Sequence, residues 1–139
     1  MWKYEVSTSW KDGRICEARS AGKPVVEVAA PPEFGGPEGT WTPEDLLAAS
    51  IASCLLTSTL FFLDRAKIAR SRCEVSAVAT MEKTASGLAF SGIEATVSVA
   101  LDDPAQSDAA RRAAELAEKN CPVSKSLVCP VKLAVRIEA

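Results

Sequence analysis

The chain has 139 residues, of which 47% are hydrophobic and 24% are charged, a composition typical of one soluble domain with a substantial core. Sixteen Lys and Arg residues against 18 Asp and Glu residues give a net charge of −2, and no block of like charge indicates a nucleic-acid or membrane partner. Because there is no histidine, Ser-His-Asp and Cys-His catalytic pairs are excluded, and the commonest zinc ligand is missing.

Five cysteines occur in a chain whose first ten residues lack the apolar segment of a secretory signal. An odd count without an export signal favours free thiols in the cytoplasm over a framework of disulfides. The uncharged run 46–63 approaches the length of a membrane span, but it contains five Ser and Thr residues. We therefore expect a helix that protein packs on every side.

The predicted elements begin with three short strands. Alternation of polar and apolar residues over 2–9 predicts a half-buried strand, and a turn at 11–14 connects it to a second strand at 15–18. A third strand is predicted over 24–30. The Pro- and Gly-rich segment 31–39 is predicted to be an irregular loop.

A long helix follows this loop, and its start carries strong local signals. Thr42 suits the N-cap and Pro43 suits the first helical position. Glu44 and Asp45 suit the positive end of the helix dipole. The helix is predicted to end near Lys67.

The second half of the chain is predicted to begin with a long β-hairpin, whose strands cover 73–85 and 88–101. An amphipathic helix at 104–119, a short helix at 122–128 and a closing strand at 131–138 are predicted to follow. This order of elements favours an α+β fold over a parallel βαβ sheet. The unprotected edges of the first three strands and the apolar central helix also point to an intertwined dimer.

Cys121 directly precedes Pro122, which is the residue preferred at the first position of a helix. Unpaired amides and the helix dipole at such a position favour a thiolate, and Lys125 adds positive potential one turn further on. The alternative is a buried cysteine that acts as a small hydrophobic residue at the start of the helix.

Cys54 lies in the middle of the long helix, in an apolar stretch. Taken alone it is better interpreted as a structural thiol, because burial raises the pKa of a thiol and makes it inert. A reactive Cys54 would need a cation from elsewhere, and the N-terminal hairpin offers Lys11, Arg14 and Arg19. The other cysteines have no such context and are interpreted as core or surface thiols: Cys16, Cys73 and Cys129.

Two cysteine motifs resemble those of the OsmC/Ohr superfamily of thiol-dependent peroxidases, which includes the organic hydroperoxide resistance proteins. The first is TPEDLLAA at 42–49, followed by ASC at 52–54, with Glu44 ten residues before the cysteine. The second is NCPVSKSL at 120–127, and PPEFGGP at 31–37 is similar to the loop that precedes the helix in this family. The resemblance covers essentially the whole chain.

The resemblance implies a single OsmC-like domain over 1–139, with an α+β fold of antiparallel sheets around long central helices and an intertwined homodimer. Cys54 would be the peroxidatic thiolate, and its sulfenic acid would condense with Cys121, the resolving thiol. An external dithiol, such as that of a lipoylated protein, would then reduce the Cys54–Cys121 disulfide. No bound cofactor or metal is implied.

The resemblance also implies that Glu44 orients a cationic side chain beside the peroxidatic sulfur. Ohr-type members use an arginine of the N-terminal hairpin, just before an Asp-Gly turn, where this chain has Lys11. OsmC-type members take their arginine from just before the helix, where this chain has Glu33. The role therefore falls on Lys11 or, with a small register shift, on Arg14, which we favour because Arg and Lys are not equivalent in a bidentate clamp.

The function expected from these features is the reduction of organic hydroperoxides to alcohols. Apolar residues near the thiol would favour alkyl peroxides over hydrogen peroxide: Leu55, Leu56, Phe61 and Phe62. The alternatives are a non-catalytic redox switch or apolar-ligand-binding protein of the same fold, and a structural dimer with inert thiols.

Overall fold

A computed structural model describes residues 1–139 and divides them into two compact units, Met1–Leu46 and Leu47–Ala139. The elements are α-helices, short 3-10 turns and two three-stranded sheets, so the predicted α+β class is confirmed. A single domain over the whole chain stays a prediction.

The first unit is built on an antiparallel meander of β1 (Ser7–Asp12), β2 (Ile15–Arg19) and β3 (Val26–Ala29). The prediction of a half-buried strand over 2–9 was wrong, because the strand begins at Ser7 and every residue of it is exposed. The last pair of the β1–β2 ladder joins Ser7 to Arg19, where β2 ends, so residues 2–6 have no neighbouring strand with which to pair.

The loop between β3 and the long helix depends on two glycines. A 3-10 turn at Pro32–Phe34 ends at Gly35, whose φ of +90° lies in the left-handed region that favours glycine. A β-carbon on the next residue, Gly36, would lie 1.6 Å from the carbonyl oxygen of Ala30, so only glycine fits there.

Helix α1 (Pro43–Arg65) starts where the sequence predicts it. Thr42 and Asp45 form a reciprocal cap, in which the Thr42 hydroxyl accepts from the Asp45 amide and the Asp45 carboxylate accepts from the Thr42 amide, each at 3.0 Å. The helix ends two residues earlier than predicted, since Lys67 adopts a left-handed conformation with φ of 57°.

The prediction that protein packs α1 on every side is not met within a single chain. Only residues on one stripe are buried, four positions apart: Ile51, Leu55, Thr59 and Leu63. By length and composition alone α1 could cross a membrane, but the core helix of a soluble protein passes the same test. Of its most apolar 18 residues, 22% are buried, so most of the apolar residues of α1 are not buried within this chain.

The second unit contains a mixed sheet of β4 (Arg70–Thr84), β5 (Gly87–Leu101) and β6 (Val131–Glu138), in that order. The β4–β5 hairpin and the closing strand are confirmed, but the expectation of purely antiparallel sheets was wrong because β6 runs parallel to β5. The long connection over residues 102–130 carries α2 (Ser107–Lys119) and α3 (Pro122–Lys125) and returns the chain to the same end of the sheet.

Helix α2 packs through small residues that let its backbone approach the sheet: Ala110, Ala113, Ala114 and Ala117 are buried. The first three of these alanines share one core cluster with Leu63 of α1 and Val97 of β5, whereas Ala117 lies outside this cluster. Helix α3 ends at Lys125, about a turn earlier than the predicted limit near 128.

Candidate functional site

The second unit brings two cysteines into contact. Cys54 on α1 and Cys121, directly before α3, are both free thiols, and their Sγ atoms lie 2.9 Å apart. Both cysteines are reduced, and this short distance leaves the pair close enough for a disulfide to form with little movement.

Cys121 is the N-cap residue of α3, as its sequence context predicts. Its backbone is extended, with φ of −72° and ψ of 110°, and its Sγ accepts a hydrogen bond from the amide of Ser124 at 3.4 Å. Pro122 occupies the first helical position, and the Lys125 amide donates to the Cys121 carbonyl at 3.1 Å. The turn therefore fixes the Cys121 sulfur in place.

The two thiols differ in their access to solvent. Cys121 is 0% exposed and forms part of a buried cluster with Ile51, Leu55 and Ile93. Cys54 packs against this cluster but is only half-buried. A molecule arriving from solvent therefore meets the Cys54 side of the pair first.

Their acid strengths also differ. Burial raises the pKa of the Cys54 thiol, and its hydrogen bond to Cys121 and the charge on Cys121 raise it further. Burial also acts to raise the pKa of Cys121, but the thiol of Cys54, the nearby Ser124 side chain and the backbone amides of Ser124 and Val123 outweigh it and lower that pKa. Of the two thiols, Cys121 is therefore the more readily ionised.

No cationic side chain of the second unit hydrogen-bonds to either sulfur. In the first unit, Lys11 forms an exposed ion pair with Glu27, which raises the pKa of Lys11 through a hydrogen bond and opposite charge. Arg19 is bound to Glu17 and to the Ser9 hydroxyl.

Arg14 forms no ion pair, unlike the other two cationic candidates. Its guanidinium lies against the loop, where Nη2 is 3.4 Å from the position of a β-carbon on Gly35. Glu44, in the first turn of α1, has a buried Oε2 atom with no hydrogen-bond partner. The Glu44 carboxylate can therefore accept a further hydrogen bond, and the Arg14 guanidinium can form an ion pair.

The remaining cysteines lie in different surroundings. Cys16 donates a hydrogen bond to the carbonyl of Val28 at 3.2 Å, and Cys73 packs against the α2 core cluster, where burial raises its pKa. Cys129 packs against the cluster that contains Cys121, which its sequence context did not indicate. No group of three or more His, Cys, Asp or Glu side chains is arranged to hold a metal ion.

Sequence reasoning did not single out Ser124. Its hydroxyl oxygen is buried without a hydrogen-bond partner, and its amide points at the Cys121 sulfur. The available signal was its place three residues after the N-cap, where the amide of a helix reaches back to the capping atom.

Comparison with known proteins identifies the family. The family model described as OsmC-like protein matches residues 35–136, which is well over half of the chain. The chain belongs to the OsmC-like family. Among relatives of this OsmC-like protein, the organic hydroperoxide resistance protein-like 2 of Staphylococcus epidermidis is 30% identical over 122 residues, covering 87% of this chain and 83% of that protein.

Solved structures share the OsmC-like fold. An OsmC-like protein of unknown function from Vibrio cholerae superposes with a TM-score of 0.87 at 17% identity, covering 97% of this chain and 99% of that one. An organic hydroperoxide resistance protein from Elizabethkingia anophelis superposes with a TM-score of 0.74 at 21% identity, covering 99% and 97%. At these identities the structural likeness establishes the fold.

Proposed function

We propose that this OsmC-like protein is a thiol-dependent peroxidase that reduces organic hydroperoxides to alcohols. The observation that carries the proposal is the 2.9 Å contact between the sulfurs of Cys54 and Cys121, which joins the two family motifs in one site. The name of the Staphylococcus epidermidis relative, an organic hydroperoxide resistance protein-like protein, supports the substrate class.

In the proposed cycle, the Cys54 thiolate attacks the terminal oxygen of the hydroperoxide. The O–O bond breaks, the alkoxide takes a proton and leaves as alcohol, and Cys54 becomes a sulfenic acid. The Cys121 thiolate then attacks the Cys54 sulfur and expels hydroxide, which is protonated to water, so that a Cys54–Cys121 disulfide forms. An external dithiol reduces this disulfide and is itself oxidised.

Access supports the assignment of Cys54 as the peroxidatic residue and Cys121 as the resolving one. Cys121 has no exposed surface, so a peroxide cannot reach it before it reaches the half-buried Cys54. The lowered pKa of Cys121 suits a resolving thiol, because the thiolate is the form that attacks a sulfenic acid.

The raised pKa of Cys54 in the single chain means that its ionisation needs an added positive charge. We assign that role to Arg14, oriented by Glu44, in preference to Lys11. Lys11 is already paired with Glu27, whereas the Arg14 guanidinium and the buried Oε2 of Glu44 have no ionic partner. A guanidinium can also bind a carboxylate through two parallel hydrogen bonds, which an ammonium cannot do.

We further propose that the active form is a homodimer in which the uncovered apolar surface of α1 is buried. Phe61 is 56% exposed on this helix, and only 22% of the most apolar part of α1 is buried in one chain. An exposed apolar helix face of this kind is typical of a protein–protein interface. Leu55 belongs to the core and Phe62 packs against the α2 core cluster, so the alkyl group of the substrate would contact Leu56 and Phe61 instead.

The decisive experiment mixes the reduced protein with cumene hydroperoxide or hydrogen peroxide in the presence of dihydrolipoamide, and follows peroxide loss and free thiols. Continuous consumption of cumene hydroperoxide, faster than that of hydrogen peroxide, is the expected result. A Cys73→Ser variant serves as the control, because Cys73 lies in a different core cluster. If neither peroxide is consumed and no thiol is lost, the proposal is wrong.

The second candidate function is a redox switch in the cytoplasm, where thiols are kept reduced. The contact of Cys54 with Cys121 favours it, because an oxidised sulfur beside a second thiol forms a reversible disulfide without any need for turnover. The same assay separates the two functions. Stoichiometric thiol loss without sustained peroxide consumption indicates the switch.

A further inference from the structure

The Ser124 hydroxyl is a buried polar group beside the Cys121 thiol. Its Oγ has no hydrogen-bond partner, although buried hydroxyls in proteins are almost always paired. The amide nitrogen of the same residue lies 3.4 Å from the Cys121 sulfur. An unpaired donor beside a thiol that changes its charge during the cycle indicates a partner present in another state.

We propose that Ser124 is a positioning residue whose hydroxyl and amide together bind the Cys121 thiolate as it leaves the disulfide, so that the reducing dithiol attacks Cys54. The inference rests on the proposed function and deepens it, since it specifies how electrons enter the site. The thiolate has room for several donors, and both groups of Ser124 lie on the turn that Cys121 caps.

The proposed step balances as a thiol–disulfide exchange. A thiolate of the external dithiol attacks the Cys54 sulfur, the S–S bond breaks, and its electron pair leaves on Cys121. The second thiol of the reductant, losing its proton to the medium, attacks the reductant's own sulfur in the mixed disulfide. This releases Cys54 as a thiolate and the reductant as a disulfide, and the two cysteine thiolates take up from the medium the two protons that the reductant lost.

Two features of the site favour this direction of attack. Cys121 is fully buried, so the only sulfur of the disulfide that a reductant can approach is that of half-buried Cys54. A better-stabilised thiolate leaves faster, and the Ser124 amide, 3.4 Å from the Cys121 sulfur, is a donor that remains when Cys54 is in a disulfide and has no proton to donate.

Ser126 provides a matched control on the same turn. Its hydroxyl is exposed and donates to the Pro122 carbonyl at 2.7 Å, away from the Cys121 sulfur. Ser126→Ala therefore removes a hydroxyl of the same size from the same segment. Ser124→Thr restores a hydroxyl at the tested position.

The experiment starts from protein whose disulfide has been formed with diamide, and it measures the rate of reduction by dihydrolipoamide in a stopped-flow instrument. Ser124→Ala should slow this step about three- to tenfold, the effect of one lost hydrogen bond to an anion acting on a leaving group. Ser126→Ala should match the unaltered protein, and Ser124→Thr should recover most of the rate. Equal rates for the two alanine variants would overturn the proposal.

Two further readouts separate a chemical role from a purely structural one. In a Cys54→Ser background, Ser124→Ala should raise the titration midpoint of the Cys121 thiolate, followed by absorbance at 240 nm, whereas Ser126→Ala should not. Trapping with a monothiol should place the mixed disulfide on Cys54, and a label found on Cys121 would refute the direction of attack.

Because diamide replaces peroxide, this test does not depend on peroxidase activity. If the protein forms the disulfide but consumes no peroxide, the proposed function fails while the Ser124 effect can still be observed. If peroxide is consumed and the Ser124 effect is absent, only the inference about Ser124 fails.

Discussion

The sulfurs of Cys54 and Cys121 lie 2.9 Å apart although 67 residues separate the two cysteines in sequence. One sulfur is carried by the long helix α1, and the other by the N-cap residue of the short helix α3, in the connection between parallel strands. The pair is asymmetric, since Cys54 is half-buried and Cys121 has no exposed surface. The pKa of Cys54 is raised and that of Cys121 is lowered, so the more accessible thiol is also the one that ionises less readily.

Replacing Cys54 and replacing Cys121 should have different effects on peroxide consumption. Cys54→Ser should abolish peroxide consumption, because the thiol that solvent reaches is removed. Cys121→Ser should allow one oxidation per chain and then stall, because no second sulfur lies beside Cys54 to form the disulfide. Peroxide loss and thiol titration measure both effects. Normal turnover of Cys121→Ser with every dithiol tested would contradict the resolving role.

Oxidation should stabilise the second unit. A disulfide between residues 67 positions apart removes chain entropy from the unfolded state worth about 4 kcal/mol. Urea denaturation of oxidised and reduced protein, followed by far-ultraviolet circular dichroism, measures the difference. In Cys121→Ser the same oxidant treatment should give no gain, and a gain in that variant would point to a different disulfide.

The titration of the thiol pair should respond to the donor at position 54. The pKa of Cys121 is lowered from the reference value of 9.0 partly by the Cys54 hydrogen bond, so Cys54→Ala should raise it and Cys54→Ser, which keeps a hydroxyl donor, should raise it less. Absorbance at 240 nm from pH 5 to 10 follows the thiolate, with the corresponding variant lacking Cys121 as the blank. Identical curves for the Ala and Ser variants would show that the hydrogen bond does not set this pKa.

Arg14 and Lys11 should contribute unequally to the oxidation of Cys54. Arg14→Ala should slow the reaction with cumene hydroperoxide at neutral pH by tenfold or more, in line with the pKa change of about 1–3 units that a nearby opposite charge causes. Lys11→Ala should have little effect, because it removes only an exposed ion pair with Glu27. The pseudo-first-order rate of thiol loss tests both variants, and the reverse ranking would transfer the role to Lys11.

Gly36→Ala should destabilise the first unit by about 2–3 kcal/mol, because the added β-carbon would lie 1.6 Å from the Ala30 carbonyl oxygen and the loop would have to move. All three tryptophans belong to this unit (Trp2, Trp10 and Trp41), so their fluorescence in a urea titration reports its unfolding. Gly92→Ala is the control, because its β-carbon would lie 3.8 Å from the nearest atom. This variant should leave the urea midpoint of the fluorescence transition unchanged.

Local sequence signals predicted those elements that short-range chemistry determines. The N-cap at Thr42, the β4–β5 hairpin and the N-cap position of Cys121 all follow from residues within a few positions of one another. The start of β1 was mispredicted because it depends on where its partner strand ends.

Long-range relationships were less accessible from the sequence. Alternation over 131–138 is the same for a parallel and an antiparallel strand, so the direction of β6 could not be read from it. The meeting of Cys54 with Cys121 followed only from the family resemblance, because periodicity carries no information about residues this far apart. Ser124 escaped notice because its importance lies in burial beside a particular sulfur.

The parallel pairing of β5 with β6 has a consequence for the newly made protein. These strands can join only after the whole connection over 102–130 has been synthesised, and closing so long a loop costs entropy before any contact repays it. Cys54 leaves the ribosome well before Cys121, so we expect an interval in which it has no neighbouring thiol. Oxidants present during that interval would damage unfinished chains in a way that mature ones resist.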